Sequence, residues 1–224
     1  MSKVTDRWRN AWKIHAFKEQ SLVTLAGVIV ALVLIRVFLD YVETRPGVVL
    51  PDPLVPLLPA VDLKWITYSV FYSGILFGLI SLLLYPFALL LTLRALVVLI
   101  VLRIVFLFLL PLDPPAGHIP LIDPFIQPPD QPPLTRDLFF SGHVATLALL
   151  GNTARWRDMK IIFFSTAVVV SVLFLFQHVH YTIDLVAAPC FAYVAYGVTK
   201  LITVGEIAIP FANNRPEAAS SSRD

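Results

Sequence analysis

Six apolar runs divide this chain, and their lengths limit the folds open to it more than any other feature. A helix needs about 20 mainly apolar residues to cross the hydrocarbon core of a bilayer. The runs lie at approximately 21–41, 66–84, 87–110, 138–153, 161–178 and 181–203. Hydrophobic residues make up 58% of the chain, above the roughly 50% of an ordinary soluble domain. The sequence therefore predicts an all-α, polytopic bundle of six transmembrane helices.

Lysine and arginine are distributed unequally between the two sides of this bundle. If the N-terminus is cytoplasmic, the cytoplasmic loops hold Arg94, Arg155, Arg157, Lys160 and Lys200. The opposite loops hold Arg45, Lys64 and Arg136, together with Asp52, Asp62, Asp113, Asp123, Asp130 and Asp137. Because positive residues favour the cytoplasmic side of a membrane, this pattern predicts that both termini are cytoplasmic.

Two polar segments flank the membrane domain. We predict a basic cytoplasmic segment at 1–20, the membrane domain at 21–203, and a cytoplasmic tail at 204–224 whose end is disordered. The first apolar run exceeds the about 7–15 residues of a signal peptide and lacks a small-residue cleavage site, so we expect it to be retained. The net charge of +2 gives no indication of a nucleic-acid partner, and the single Cys190 excludes a disulfide within the chain.

The loop between the third and fourth runs is rich in proline. Half of the 18 prolines lie between Pro111 and Pro133. Proline resists helix formation and makes a segment extended and semi-rigid. Two interpretations are open for this segment, a spacer between two spans and a lid over a site at the outer surface.

Ionisable residues inside the apolar runs converge on one membrane face. Such residues are costly in lipid and are usually functional. His143 lies near the outer end of the fourth run, and His180 and Asp184 lie at the outer end of the sixth. Arg103 precedes the proline-rich loop and lies roughly 12 Å below the outer rim, at 1.5 Å per helical residue. Separate parts of the sequence therefore predict one polar site near the outer surface.

The spacing of His180 and Asp184 suits acid–base chemistry. Residues four apart share one face of a helix and can touch. A carboxylate bound to one imidazole nitrogen leaves the other as a basic lone pair, which suits a nucleophile or a general base. His143 is then the complementary acid. Taken singly, His143 can be an ordinary interfacial residue and Asp184 a helix-start acid, but their coincidence favours a catalytic site.

Three other polar or small-residue patterns predict structural roles. Arg36 and Asp40 are expected to form an ion pair at the end of the first span. Arg94 is expected to anchor the chain by extending towards the cytoplasm. Gly74 and Gly78 form a G-x-x-x-G pattern, which indicates close helix packing.

The sequences FFSGHVATL, at 139–147, and HVHYTIDLVAA, at 178–188, resemble the last two motifs of the sphingomyelin synthases and their bacterial relatives. These belong to the superfamily of type-2 phosphatidic acid phosphatases. LRIVFLFLLPLDPP, at 102–115, is similar to the third-helix segment of that family. The resemblance covers roughly residues 90–190, the expected catalytic core. The chain lacks the K-x6-R-P motif of the superfamily's phosphatases, which favours the synthase branch.

The resemblance implies a catalytic triad of His143, His180 and Asp184. It implies a phosphotransferase that moves a phospho-headgroup from a membrane phospholipid donor to a lipid hydroxyl acceptor, with no metal or cofactor. His180 attacks phosphorus to form a phosphohistidine, and His143 protonates the departing diacylglycerol oxygen and later deprotonates the acceptor. The active site lies on the extracytoplasmic face of the plasma (inner) membrane. The residues expected to hold the phosphate are Arg103, Arg136, Ser141, Gly142 and His178.

Other functions remain open on the sequence alone. A lipid phosphate phosphatase or phospholipase-C-like hydrolase can use the same residues with water as acceptor. His143, His178, His180 and Asp184 offer zinc ligands in a metal-binding carrier. A third alternative is a membrane scaffold or transporter without catalysis.

Overall fold

The structure is a computed structural model, and it describes residues 2–122 and 132–212, with side chains from 3 to 203 within those ranges. The described residues form helices and loops and no β-strand. There are seven α-helices in these ranges: α1 Ser2–Lys13, α2 His15–Thr44, α3 Lys64–Leu83, α4 Pro86–Leu109, α5 Gly142–Thr153, α6 Arg157–Phe176 and α7 Thr182–Ala212.

Five of these helices are long and apolar enough to cross a membrane, namely α2, α3, α4, α6 and α7 up to Thr203. Their outer faces expose leucine, valine and isoleucine side chains, as lipid-facing helices do. The prediction of an all-helical fold is confirmed for the described residues, and five of these helices have the length and composition of membrane spans. The predicted tail is helical as far as Ala212, and the residues from Asn213 onward lie outside the described ranges.

The fourth predicted span differs from the expectation. The apolar run 138–153 becomes helical only at Gly142, so α5 has 12 residues. At 1.5 Å per residue this helix is about 18 Å long, well short of the hydrocarbon core of about 30 Å. Most of its side chains are buried against α4, α6 and α7. The six long spans of the sequence prediction are therefore not seen, because α5 is a short central helix.

Small residues allow the other helices to approach α5. A Cβ atom at Gly78 would stand 2.7 Å from Cδ1 of Leu150, and one at Gly74 would stand 2.9 Å from Cδ2 of Leu147. The G-x-x-x-G pattern of α3 thus packs against α5, as predicted. On the opposite side, the Phe140 ring stacks on Phe191 of α7 at 4.3 Å between centroids. These contacts hold α5 in the centre of the bundle.

The α2–α3 loop and the α4–α5 loop lie side by side at one end of the bundle, and we call them the outer loops. Val48 of the α2–α3 loop donates its N–H to the carbonyl oxygen of Pro111 at 3.0 Å, and Asp113 donates to Val48 at 3.1 Å. The backbones touch closely, since a Cβ atom at Gly47 would stand 2.3 Å from the carbonyl carbon of Leu112. The described part of the proline-rich loop is non-helical, as predicted, and 123–131 lie outside the described residues.

Two polar side chains of the apolar helices bind neighbouring groups. Arg36 and Asp40 form the expected ion pair. The half-buried Arg94 joins three helices: Nε donates to Oγ1 of Thr24 in α2 at 3.1 Å, and Nη1 donates to Oγ1 of Thr203 in α7 at 3.4 Å. The expectation that Arg94 anchors the chain at the cytoplasmic side stays a prediction.

Candidate active site

The turn between α6 and α7 positions His180 and Asp184. Helix α7 begins at Thr182, so His180 lies just before the helix and Asp184 lies in its first turn. Oδ2 of Asp184 accepts the backbone N–H of Tyr181 at 3.0 Å and contacts Nδ1 of His180 at 3.3 Å. The pair predicted from the i, i+4 spacing is therefore in contact, although the two residues do not share a helix. The Asp184 carboxylate extends past the first residue of α7 to contact the two residues before the helix, His180 and Tyr181.

This pair is almost completely enclosed. The exposed fractions of the His180 and Asp184 side chains are 3% and 0%. When Nδ1 of His180 donates to the carboxylate, Nε2 carries the lone pair and faces away from Asp184. A buried carboxylate also stabilises the positive charge that forms on this ring when the histidine takes up a phosphoryl group. The arrangement suits a nucleophile or a base.

His143 approaches the same region from the first turn of α5. Its ring packs on Phe71 at 4.5 Å and on Phe174 at 5.4 Å between centroids. The Phe174 ring also contacts the His180 ring, at 5.2 Å. One phenyl ring therefore touches both histidines, and the structure brings the two predicted catalytic histidines to a single aromatic side chain.

Ser141 joins the start of α5 to this pair. Its backbone N–H donates to the carbonyl oxygen of Asp184 at 3.3 Å. Serine before a helix usually caps the first turn with its hydroxyl, but the Ser141 side chain makes no such bond. The first N–H groups of a helix lack intrahelical partners and attract anions. The start of α5 therefore presents uncapped donors beside the histidines.

Arg103 of α4 lies against the same helix start. A Cβ atom at Gly142 would stand 3.1 Å from Cζ of Arg103, closer than an ordinary contact, so glycine lets the guanidinium lie against the backbone without a shift. Nη2 donates to Oδ1 of Asp137 at 2.5 Å. The exposed fraction of the Arg103 side chain is 8%. A buried positive charge thus adjoins the amino end of α5, as the sequence predicts for a phosphate-binding residue.

Three buried polar atoms at this place have no hydrogen-bond partner among the residues that the structure describes. They are Nη1 of Arg103, Oγ of Ser141 and Oδ1 of Asp184. Buried polar groups are normally paired. The first two can donate to an anion, and the third can accept from a protonated group. These two donors and one acceptor can bind a phosphate group that carries a hydroxyl. They can also bind a phosphate group while a neutral nucleophile attacks it.

Arg136 occupies a different position from Arg103. Its Nε donates to Oδ1 of Asp113 at 2.6 Å, and Nη1 donates to the carbonyl oxygen of Glu43. The Glu43 carboxylate in turn accepts the backbone N–H groups of Thr135 and Arg136, both at 2.7 Å. In its described contacts Arg136 ties the two outer loops to the end of α2, and the structure does not bring it to the start of α5.

His178 is held between the two outer loops. Nδ1 lies 2.8 Å from the carbonyl oxygen of Ala116, and Nε2 lies 3.2 Å from that of Leu58. Carbonyl oxygens only accept, so the imidazolium form can satisfy both contacts and the neutral form only one. His118 binds the carbonyl oxygen of His178 through Nδ1 at 3.0 Å, and burial lowers the pKa of His118 below 6.5. His178 therefore positions the turn that carries His180.

Asp52 is a residue that sequence reasoning missed. Its carboxylate accepts the backbone N–H of Thr182 at 2.6 Å and the Thr182 hydroxyl at 2.8 Å. It also accepts the N–H groups of Leu54 and Val55, each at 2.9 Å. Burial raises the pKa of Asp52, but these four bonds outweigh it and lower the pKa below 3.8. The acid caps α7 from a distant loop, and only the P-D-P turn signal around it was visible in the sequence.

Asp137 is the second missed residue, since it pairs with the buried Arg103. Its position directly before the FFSGH motif was the available signal. A metal site is not supported by the described geometry: among the side chains of 3–122 and 132–203, no group of three His, Cys, Asp or Glu could hold a metal ion. His178, one of the four candidate ligands, faces backbone carbonyl groups instead.

No protein-family model matches the chain, and no curated protein is significantly similar to it. The resemblance to the sphingomyelin synthases therefore rests on the short motifs themselves.

Proposed function

We propose that this protein is an integral-membrane phosphotransferase that moves a phospho-headgroup from a glycerophospholipid to a lipid hydroxyl, such as that of ceramide or a diacylglycerol-like acceptor. The observation that carries the proposal is the enclosed pairing of His180 with Asp184 beside an uncapped helix start. Arg103 and Ser141 have unpaired polar atoms there. A phosphoryl group fits this combination of a nucleophile and preorganised donors.

In the first half of the proposed reaction, Nε2 of His180 attacks phosphorus. The bond between phosphorus and the diacylglycerol oxygen breaks, and His143 gives its proton to that oxygen. The products are diacylglycerol and a phosphohistidine that carries the headgroup. Asp184 stabilises the positive charge on the ring, and Arg103 with the first N–H groups of α5 stabilises the charge on the phosphoryl oxygens.

In the second half, His143 takes the proton of the acceptor hydroxyl. The acceptor oxygen attacks phosphorus, the phosphorus–nitrogen bond breaks, and His180 returns to its starting form. The enclosure of His180 and Asp184 supports transfer rather than hydrolysis, because a dry site limits the access of water to the phosphohistidine.

The proposed placement in the membrane follows the charge distribution. Both termini lie in the cytoplasm of a plasma (inner) membrane protein, and the histidines lie at its extracytoplasmic face. The chain crosses six times. Helix α5 and the non-helical residues before it make the fourth crossing, shielded from lipid by α4, α6 and α7, where irregular backbone is tolerated.

The test is a transfer assay with purified protein. We expect labelled phosphatidylcholine or phosphatidylethanolamine to yield a new labelled phospholipid only when ceramide or another lipid hydroxyl is present. Mass spectrometry should find an acid-labile phosphate on His180 when the acceptor is omitted. His180→Ala should abolish both signals, whereas His15→Ala, an exposed histidine in α2, should keep them.

Two outcomes decide against the proposal. Release of water-soluble phosphate or phosphobase in place of a new phospholipid indicates a hydrolase that uses the same residues. Unchanged cellular function in both His180→Ala and His143→Ala indicates a non-catalytic scaffold or transporter.

A further inference from the structure

The end of the bundle opposite to the candidate active site carries a basic helix. Helix α1 buries Ala11 against Phe17 and Leu90, with Trp8 packed beside them. Its basic side chains Lys3, Arg7, Arg9 and Lys13 are exposed. Such a helix lies in the plane of a membrane interface with its charged groups at the level of the lipid headgroups.

Two hydrogen bonds fix the position of α1. Nε1 of Trp8 donates to the carbonyl oxygen of Leu83 at 2.8 Å, and Nη1 of Arg7 donates to that of Leu84 at 3.2 Å. Both acceptors belong to the carboxyl end of α3, where carbonyl groups lack intrahelical partners. The helix is therefore docked at the turn between α3 and α4, which contains Tyr85.

Two guanidinium groups meet at the ring of Tyr85. Cζ of Arg7 lies 4.6 Å from the ring centroid, and Cζ of Arg155, from the turn between α5 and α6, lies 5.2 Å from it. The two cations are thus within about 10 Å of each other. Trp156 packs on the same ring at 5.6 Å. Two like charges are brought together beside interfacial aromatic residues.

We propose that Arg7, Tyr85 and Arg155 form a binding site for the headgroup phosphate of an acidic glycerophospholipid in the adjoining leaflet. The apolar side chains of Trp12 and Ile14, at the end of α1, are also exposed and can contact acyl chains. Tryptophan and tyrosine favour this depth of the membrane. A lipid offers a phosphate to the two cations and acyl chains to the apolar surface, whereas a free phosphate ion offers only the first.

The surrounding charge favours an acidic lipid over a zwitterionic one. Other basic residues lie on the same turns and helix ends, namely Lys3, Arg9, Lys13, Arg157 and Lys160. Clusters of this kind next to a membrane attract anionic lipids, with each basic group adding to the affinity. The site is separate from the histidines, so the inference does not depend on the proposed activity.

Native mass spectrometry of the full-length protein in neutral detergent tests the site. The protein is titrated with phosphatidylglycerol and, separately, with phosphatidylcholine of the same acyl chains. We expect tighter retention of phosphatidylglycerol, and a loss of about fivefold in its affinity for each arginine removed in Arg7→Gln and Arg155→Gln. Arg155→Gln is the more informative single change, because it leaves the docking bonds of Arg7 and Trp8 in place.

Arg9→Gln is the matched control. Arg9 lies on the same helix, its side chain is 66% exposed, and it contacts Asp6 at 3.8 Å. We expect its substitution to lower phosphatidylglycerol affinity clearly less than Arg7→Gln or Arg155→Gln does, because Arg9 is not at the Tyr85 ring. An equal loss in Arg9→Gln, or equal retention of phosphatidylcholine, overturns the proposal. Displacement of phosphatidylglycerol by inorganic phosphate at comparable concentration overturns it as well, since that result indicates a site for the free ion.

Discussion

The guanidinium group of Arg103 lies directly against the backbone of Gly142, where an added Cβ atom would stand 3.1 Å from Cζ and 3.2 Å from Nη1. This contact joins α4 to the start of α5. It places a buried positive charge next to helix N–H groups that have no intrahelical partner. The guanidinium charge and the first N–H groups of α5 are therefore both next to Gly142, one residue before His143.

Gly142→Ala tests this contact. The added methyl group forces the guanidinium to shift by a few tenths of an ångström, so we expect the transfer rate to fall, by up to about the 100-fold seen when one donor to a developing oxyanion is lost. Folding should persist, because alanine is the better helix former. The measurements are the initial rate of headgroup transfer and the thermal unfolding temperature. Gly27→Ala is the control, since its nearest neighbour would be 3.8 Å away, and an unchanged rate in Gly142→Ala would refute the role of Arg103.

A second test separates the charge of Arg103 from its structural role. Arg103→Gln leaves Asp137 without its partner, and breaking a buried pair costs about 3–5 kcal/mol. The double variant Arg103→Gln/Asp137→Asn should recover much of this stability because no charge is left unpaired. Transfer activity should stay low in both. Recovery of activity together with stability would show that the pair only supports the fold.

Asp184→Asn should lower the rate of phosphohistidine formation by about 10³-fold or more, because an amide no longer fixes the tautomer of a catalytic histidine. The measurement is the rate at which acid-labile phosphate forms on His180.

In the wild-type protein the transfer rate should have a bell-shaped dependence on pH, since His180 must be neutral to attack and His143 protonated to donate. A flat profile between about pH 5 and 9 contradicts paired histidine catalysis.

Asp52 should make the stability of α7 depend on acid. Its pKa in the folded protein lies below 3.8, so the folded state favours the carboxylate. The stabilisation is present above pH 3.8 and is lost as the pH falls through the folded-state pKa. Asp52→Ala should destabilise the neutral protein by about 1 kcal/mol, the usual effect of losing a helix cap.

Thermal unfolding of Asp52→Ala and of the wild type, compared from pH 7 to pH 3, measures this effect. The gap between them should narrow at the acidic end. Asp40→Ala is a suitable control, because Asp40 is largely exposed and pairs with Arg36 of its own helix. A gap that is the same at all pH values would contradict the capping role of the ionised carboxylate.

His118 should make the loop that carries it less stable at acidic pH. Burial lowers the pKa of His118 in the folded protein below 6.5. Between this folded-state pKa and 6.5, the unfolded chain therefore binds more protons than the folded one. The packing of this loop is therefore most stable above pH 6.5 and weakens as the pH falls below it. Hydrogen exchange of 115–119 at pH 7.5 and 5.5, corrected for intrinsic rates, should show a larger acid-induced loss of protection in the wild type than in His118→Gln. An equal loss in both proteins would exclude His118 as the cause.

The helical membrane bundle was predictable because hydrophobic length is a local property. The apolar runs predicted α2, α3, α4, α6 and α7 to within a few residues at most ends. Helix α5 was mispredicted because periodicity does not tell a lipid-facing span from a helix buried in protein. Its shortness depends on where the chain leaves the proline-rich loop and on the glycines of α3 that receive Leu147 and Leu150.

The site was predictable in part, for a related reason. The spacing in HVHYTID placed His180 and Asp184 in contact, and membrane depth brought Arg103 to the level of His143. The partners of these residues were not predictable. Asp52 reaches Thr182 across 130 positions of sequence, and Asp137 reaches Arg103 across 34.

The sequence by itself determined that this chain is helical, with several segments long and apolar enough to span a membrane, and it predicted which polar residues lie at one depth. A charge or an uncapped helix end within an apolar run costs free energy, and the residues that carry this cost can be identified from the sequence. Only the tertiary structure decided which predicted phosphate ligands meet. Arg103 lies against the start of α5, whereas Arg136 binds Asp113 and His178 lies between two loops. The physical reason is that a long side chain pairs with whichever acceptor the folded loops bring within hydrogen-bond distance, and no local pattern encodes that choice.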